Sequence, residues 1–201
     1  MTSVSDLGTF KLALADALAR ARGVAGVSAA AVDRIVASLA RKAAPLSPAV
    51  PGTDAYMERE LDGALENARA ADADGAHADL LAAFHRLAPA LPWYRRACPD
   101  RPDFEAGHAN AEIIGAKGLE VRSDLTVGVT LMVPGLTYPD HHHPPEEVYL
   151  VLSAGAWRQD ANPWHEPGFG GFVYNPPDIL HAMKSLDAPL FAIWSLNPTA
   201  G

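Results

Sequence analysis

The sequence predicts an antiparallel β-sandwich or small barrel of jelly-roll type, preceded by a helical half. Three observations lead there. Composition shifts midway: residues 1–104 are Ala-rich with 12 Lys/Arg against 13 Asp/Glu, whereas residues 105–201 are rich in Val, Gly and Pro with 4 against 11. The spacing of apolar residues changes at the same place, from three or four residues to short β-branched runs. Those runs are divided by Gly, Pro and Asp turns with no helical segment between them, which suits a sandwich or barrel rather than a βαβ array. The chain has 201 residues, enough for one domain with a helical extension. The expected division is 1–104, helical extension and linker, and 105–201, β-barrel.

Within the first half, Leu7, Phe10, Leu14 and Leu18 mark a helix that Asp6 can cap and Gly23 stops. Ser28 can cap a second helix, with Val32, Ile35, Val36 and Leu39 on one face and the stretch PLSPAVPG beyond its end. A third is expected from about Thr53, with Met57, Leu61 and Leu65. A fourth runs from about Gly75, with Leu80, Leu81, Phe84, Leu87 and Leu91. These faces bury apolar surface and carry no evident chemistry. His77 and His85 are read as structural. Pro92 to Phe104, PWYRRACPDRPDF, reads as a linker packed against the second half. Strands are expected at Ala111–Ile114, Thr126–Val133, Glu147–Ser153, Gly171–Tyr174 and Leu190–Leu196. GFGG, from Gly168 to Gly171, is read as a turn, because no helix follows it to hold a phosphate.

The composition narrows the partners. The net charge is −8, the wrong sign for neutralising nucleic-acid phosphates or an anionic membrane. No signal peptide or membrane span is read in the N-terminal stretch, and Cys98 is the sole cysteine. The expectation is a cytoplasmic protein that binds a small molecule, of undetermined oligomeric state. Cys98, in the turn sequence CPD, is read as a loop thiol.

The chemistry is concentrated in PGLTYPDHHHPPEEVYLVLSAG, Pro134 to Gly155. His141, His143, Glu147 and Tyr149 share one parity, so on strand segments they point to one side, while Val148, Leu150 and Leu152 face the other. With His181 added from later in the chain, the set holds three imidazoles and a carboxylate. That suits one divalent transition metal, Zn, Fe(II), Mn or Ni, and the lack of thiolates disfavours Cu(I). His142 has the opposite parity and His165 lies in a loop. Glu146 points away and is expected to be solvated.

These residues resemble the cupin superfamily. The first cupin motif, G-x5-H-x-H-x3-E, is matched by Gly135, His141, His143 and Glu147. The second, G-x5-P-x-G-x2-H, is matched by Gly170, Pro176 and His181, with Asp178 in place of the inner glycine. Gly155 closes the first motif one residue late, and Ser185 stands where an asparagine often follows the second histidine. Tyr138 and Tyr149, within YPDHHHPPEEVYLVLS, together with the helical extension, resemble the cupin-type dimethylsulfoniopropionate lyases of the DddQ type. The resemblance is strong over residues 134–181.

That resemblance implies an all-β cupin fold with a helical extension and a metal held by His141, His143, Glu147 and His181. It also implies a carbon–sulfur lyase acting on a sulfonium carboxylate. Tyr149 would be the general base and Tyr138 would position the substrate or share the proton work. Some of Trp157, Trp164, Tyr174 and Trp194 could hold a sulfonium through cation–π attraction. Two other readings stay open: an Fe(II) cupin dioxygenase and a non-catalytic cupin that binds a small acid.

Overall fold

The computed structural model describes residues 4–41 and 55–197. The PLSPAVPG stretch and Thr53 lie outside the described residues, as does the side chain of Met57.

Helix α1 (Val4–Ala19) runs into a 3-10 turn at Arg20–Gly23, where the first helix was expected to stop. Asp6 is not its cap. It lies inside the first turn, where a carboxylate suits the helix dipole, and it accepts from Arg86 Nε at 2.6 Å. Helix α2 (Ala29–Leu39) is capped as expected: Ser28 Oγ accepts from the Ala31 amide at 3.2 Å. Helices α3 (Ala55–Ala71) and α4 (Ala78–Leu87) follow. A fifth, α5 (Pro102–Gly107), was not foreseen; Pro102 starts it and it leads directly into the first strand. Leu7, Phe10, Leu14, Leu18, Val32, Ile35, Leu39, Leu61, Leu65, Leu80, Leu81, Phe84 and Leu87 are all buried. Val36 is only partly so.

Nine strands are described: β1 (His108–Gly115), β2 (Glu120–Val121), β3 (Thr126–Met132), β4 (Thr137–His141), β5 (Glu146–Val151), β6 (Ala156–Gln159), β7 (Phe172–Asn175), β8 (His181–Lys184) and β9 (Leu190–Asn197). They form a six-stranded sheet in the order β2-β1-β3-β9-β5-β7 and a three-stranded sheet in the order β4-β8-β6. All pairings are antiparallel except the short β1–β2 contact. The five expected strands belong to the large sheet, with ends displaced by at most three residues and the starts at Thr126 and Leu190 unchanged. The small sheet was missed entirely. Its strands are four or five residues long and half-polar, with Pro139 tolerated on edge strand β4. They show no apolar alternation.

Alternation sorts the large sheet's two faces. Val148, Leu150, Val127, Val129, Leu131 and Ile193 join the helices in one core. Tyr149, Val151, Met132, Ala192 and Trp194 face the small sheet's Tyr138, Trp157 and Met183 in a second, which Phe104 of α5 completes. The helices therefore close one face of the large sheet, and the small sheet closes the other. This is a cupin barrel with a helical extension.

Two ion pairs with buried carboxylates join the layers. Lys11 Nζ of α1 lies 3.0 Å from Glu120 Oε2 of β2. Glu146 turns away from the site, as its parity requires, but it is not solvated. It is buried and accepts from Arg34 Nε (3.0 Å), Asn197 Nδ2 (3.0 Å) and the Tyr174 hydroxyl (3.1 Å). The helical layer supplies the cation that lets a carboxylate stay buried.

Candidate metal centre and active site

The second strand layer brings the motif residues together. His141 ends β4 and pairs directly with His181 at the start of β8, with ring centroids 4.1 Å apart. His143 stands in the turn before β5, and β5 carries Glu147 and Tyr149 on its inner face. Each histidine's Nδ1 is 2.9 Å from a backbone carbonyl two residues away: Pro139 for His141, Pro145 for His143 and Ile179 for His181. A carbonyl only accepts, so these Nδ1 atoms carry the proton and each Nε2 keeps a free lone pair. One ligand atom from each ring lies within 4.8 Å of the others. Glu147 Oε2 lies 3.6 Å from His143 Nε2 and 3.5 Å from His181 Nε2, and Asn175 Nδ2 donates to it at 2.8 Å.

These residues fit a divalent ion. His181 Nε2 is buried with no hydrogen-bond partner, an arrangement that native interiors otherwise avoid. Imidazoles fixed by hydrogen bonds through their second nitrogen, with a carboxylate oriented by an amide, are the expected surroundings of a metal.

The electrostatics favour neutral, ligand-ready imidazoles at two positions. Burial, reinforced by His181, lowers the His141 pKa to about 4. Burial also lowers that of His181. At His143 burial is outweighed by the hydrogen bond and charge of Glu147, and its pKa rises. Glu147 itself is held below its usual range: burial opposes ionisation, but His143, His181 and Asn175 overcome it. Without a metal, burial and the neighbouring Glu147 carboxylate push the Tyr149 phenol well above 10.

Two of the three departures from the cupin motif, at Asp178 and Ser185, keep their turns. Asp178, in place of glycine, adopts φ 58° and donates its amide to the His143 carbonyl at 3.0 Å; aspartate is among the few residues that take this conformation readily. Ser185 Oγ accepts from the Leu136 amide at 2.9 Å and donates to the Val133 carbonyl at 2.6 Å.

A cavity of about 260 Å³ opens onto the histidines. Tyr138, His141, His143, Glu147 and Tyr149 line it, so five of the six expected site residues border one space. His181 meets the cluster from behind. Tyr138 packs against His141 with ring centroids 4.8 Å apart. Of the four aromatic candidates, Trp194 lines the cavity. Trp157 is buried behind Tyr149, Trp164 is flanked by Arg158 and Lys184 at 4.9 and 4.8 Å, and Tyr174 is committed to Glu146. His142 is exposed, 3.8 Å from Asp178, and His165 is exposed in its loop. His77 is buried against Asp72, Arg20 and Phe169, a packing role.

Four polar lining residues were missed, Tyr94, Arg96, Asn110 and Thr130, besides the apolar Met183 and Leu196. The first two belong to Pro92–Phe104, the segment read as a linker packed against the second half; it packs there and also lines the cavity. Tyr94 pairs with Asn110 of β1 through two backbone hydrogen bonds of 2.8 Å, so the segment runs as a strap along the sheet edge. The run Tyr94-Arg95-Arg96 was the only hint, since an aromatic beside two cations is unusual in a plain connector. Asn110 and Thr130 form a polar row with Trp194. The indole donates to Thr130 Oγ1 (3.1 Å), which donates to Asn110 Oδ1 (2.6 Å).

A cupin barrel whose histidines converge at the mouth defines the class. The chain belongs to the dimethylsulfoniopropionate lyase family, whose sequence model matches residues 27–192. It is 34% identical over 82 residues to dimethylsulfoniopropionate lyase DddQ of Ruegeria pomeroyi, covering 40% of this chain and 41% of that protein. It is 32% identical over 80 residues to the putative lyase DddL of Cereibacter sphaeroides, covering 40% and 34%. These matches thus span less than half the length of either relative. The crystal structure of DddQ from Ruegeria pomeroyi is similar over 96% of this chain and 92% of that one, with 25% identity and a TM-score of 0.59. A chain from the crystal structures of the lyases RdDddP and RnDddQII shares the fold, with 24% identity, coverage of 96% and 95%, and a TM-score of 0.64.

Proposed function

We propose that this protein cleaves dimethylsulfoniopropionate to dimethyl sulfide and acrylate by β-elimination, with a divalent metal and Tyr149 as general base. The observation that carries the reading is the placement of Tyr149 beside three converging histidines, in a member of this family. His141, His143, His181 and Glu147 would hold the ion. When bound, it supplies a Lewis acid that attracts the substrate carboxylate and stabilises the charge that develops as the α-proton leaves.

The rest is the work of the chain's own side chains. Tyr149 stands two residues after Glu147 on β5, and both line the cavity. A nearby cation favours the phenolate and offsets the burial that otherwise raises its pKa. The phenolate oxygen takes the α-proton, the electron pair forms the Cα–Cβ double bond, and the Cβ–S bond breaks to release dimethyl sulfide. Tyr138 lines the same space and positions the substrate. Trp194 offers the sulfonium an aromatic face. The products are neutral dimethyl sulfide, the acrylate anion and the proton taken up by Tyr149, so charge balances and no oxidant or reductant is needed.

The test is headspace gas chromatography of purified, metal-loaded protein given dimethylsulfoniopropionate, with dissolved oxygen followed in parallel. Dimethyl sulfide and acrylate in equal amounts at constant oxygen support the lyase. Oxygen consumption with turnover supports the dioxygenase, and affinity without turnover supports a binding protein.

A further inference from the structure

The cavity has one fixed cation. Among its lining residues Arg96 is the only Lys or Arg, and its guanidinium has no ion pair among the described residues. It lies over the Tyr138 ring, 5.9 Å from the centroid, on the side of the cavity where Tyr138 meets His141. Its backbone is pinned from both directions. Two residues earlier, Tyr94 is bridged to Asn110. At Arg96 itself the amide donates to His108 Nε2 at 2.8 Å. His108 is fully buried, stacked on Phe104 at 3.8 Å, and directs its Nδ1 at the Phe104 carbonyl. A buried imidazole is thus used to hold one exposed arginine at the mouth.

An arginine placed this way discriminates between the two ends of a zwitterion. It attracts a carboxylate through directional, charge-assisted hydrogen bonds and repels a sulfonium. We propose that Arg96 is the carboxylate anchor of the site: it binds the carboxylate oxygen that faces away from the histidines and so sets which end of the substrate enters towards them. The sulfonium is left to Trp194, whose indole lies among uncharged partners such as Thr130 and Gly128. A carboxylate has acceptor sites on both oxygens, so an arginine and a Lewis acid can share it. The inference rests on the lyase reading only for the identity of the substrate. The anchor itself is a site for small carboxylates.

The test uses the metal-loaded full-length protein, as wild type, Arg96→Gln and Arg96→Lys. Acrylate and its neutral isostere acrylamide are titrated by calorimetry, and KM and kcat are measured with dimethylsulfoniopropionate. Arg96→Gln is expected to weaken acrylate about 10- to 100-fold, the scale of charged hydrogen bonds, while acrylamide affinity stays within about twofold on that same scale. KM should rise with the acrylate constant and kcat should change little. Arg96→Lys should recover part of the loss, because it keeps the charge without the fork. Acrylate affinity in Arg96→Gln equal to wild type, an equal loss for acrylamide, or a wild type that does not bind acrylate overturns the anchor. Wild type that binds acrylate in an Arg96-dependent way but yields no dimethyl sulfide overturns the lyase reading and leaves the anchor standing.

Discussion

Gly128 and Trp194 face each other across β3 and β9, and a Cβ on Gly128 would fall 2.1 Å from the Trp194 ring. The space of one missing methyl group is what lets the indole lie flat on the sheet. There it reaches Thr130 and forms part of the cavity wall. The glycine is a steric requirement, since its φ is unexceptional.

Gly128→Ala is therefore expected to cost about 1–3 kcal/mol, the usual price of overpacking, and to swing the indole out of its place. Thermal denaturation reads the first effect and tryptophan fluorescence the second. An unchanged Tm with an unchanged emission spectrum would show that the wall is more yielding than its geometry implies. The cavity should lose substrate affinity in the same variant if Trp194 is the aromatic face proposed for the sulfonium.

The ligand set makes a second prediction. His143→Ala, Glu147→Ala and His181→Ala should each lose most of the bound metal, measured by elemental analysis after dialysis, and most of the activity with it. His181→Ala should be the most severe, since its Nε2 is the buried nitrogen with no other partner. If all three variants keep wild-type metal content, the ion sits elsewhere.

The large sheet was legible because its strands are buried on both faces or alternate cleanly. Val127, Val129 and Leu131, or Val148 and Leu150, announce themselves. The small sheet was not, because Asp140, Arg158 and Gln159 face solvent or polar neighbours, and the pairing of β4 and β6 with β8 is set by tertiary contact rather than local pattern. The site residues on motif spacing were legible for a chemical reason: few other roles demand three histidines and a glutamate at those intervals. Arg96, Asn110 and Thr130 were not, since each is an ordinary surface or strand residue until the strap at Tyr94 meets β1. Glu146 shows the limit of parity. Its direction was readable, but its burial depends on Arg34 of α2, 112 positions away in sequence.

Acid should destabilise the metal-stripped protein. The His141 imidazole has a pKa of about 4 in the folded state against its usual 6.5, mainly through burial. Between those values the unfolded chain binds a proton that the folded protein does not, so stability rises with pH across the window. This contribution is complete above about pH 6.5, fades as pH falls and is gone below about pH 4. His181 acts in the same sense, and His143, whose pKa is raised, opposes it. The Tm of chelator-treated protein should climb from pH 4.5 to 6.5, and His141→Phe should flatten the climb. A Tm that falls over that range would mean that His143 dominates. Protons also compete for the ligands, so the metal-loaded protein should release its ion on acidification.

Tyr149→Phe removes one oxygen and keeps the ring that packs near Trp157. The strand register, Tyr149 opposite Trp194 and Val173, does not depend on the hydroxyl, so fold and metal content should survive. What is lost is the proposed proton acceptor. The histidines would not replace it, because their Nδ1 atoms are committed to backbone carbonyls and their Nε2 atoms would hold the proposed ion. Loss of a general base typically lowers rate about 10²–10⁴-fold. Tyr138→Phe should cost less, as that residue lines the cavity without touching Glu147. Dimethyl sulfide release is compared at equal metal loading, with acrylate affinity as the control that the cavity remains intact. A Tyr149→Phe variant that keeps more than about a tenth of the wild-type rate, well inside the expected loss, excludes Tyr149 as the base. A larger loss in Tyr138→Phe than in Tyr149→Phe would transfer the role to Tyr138, whose ring lies against His141.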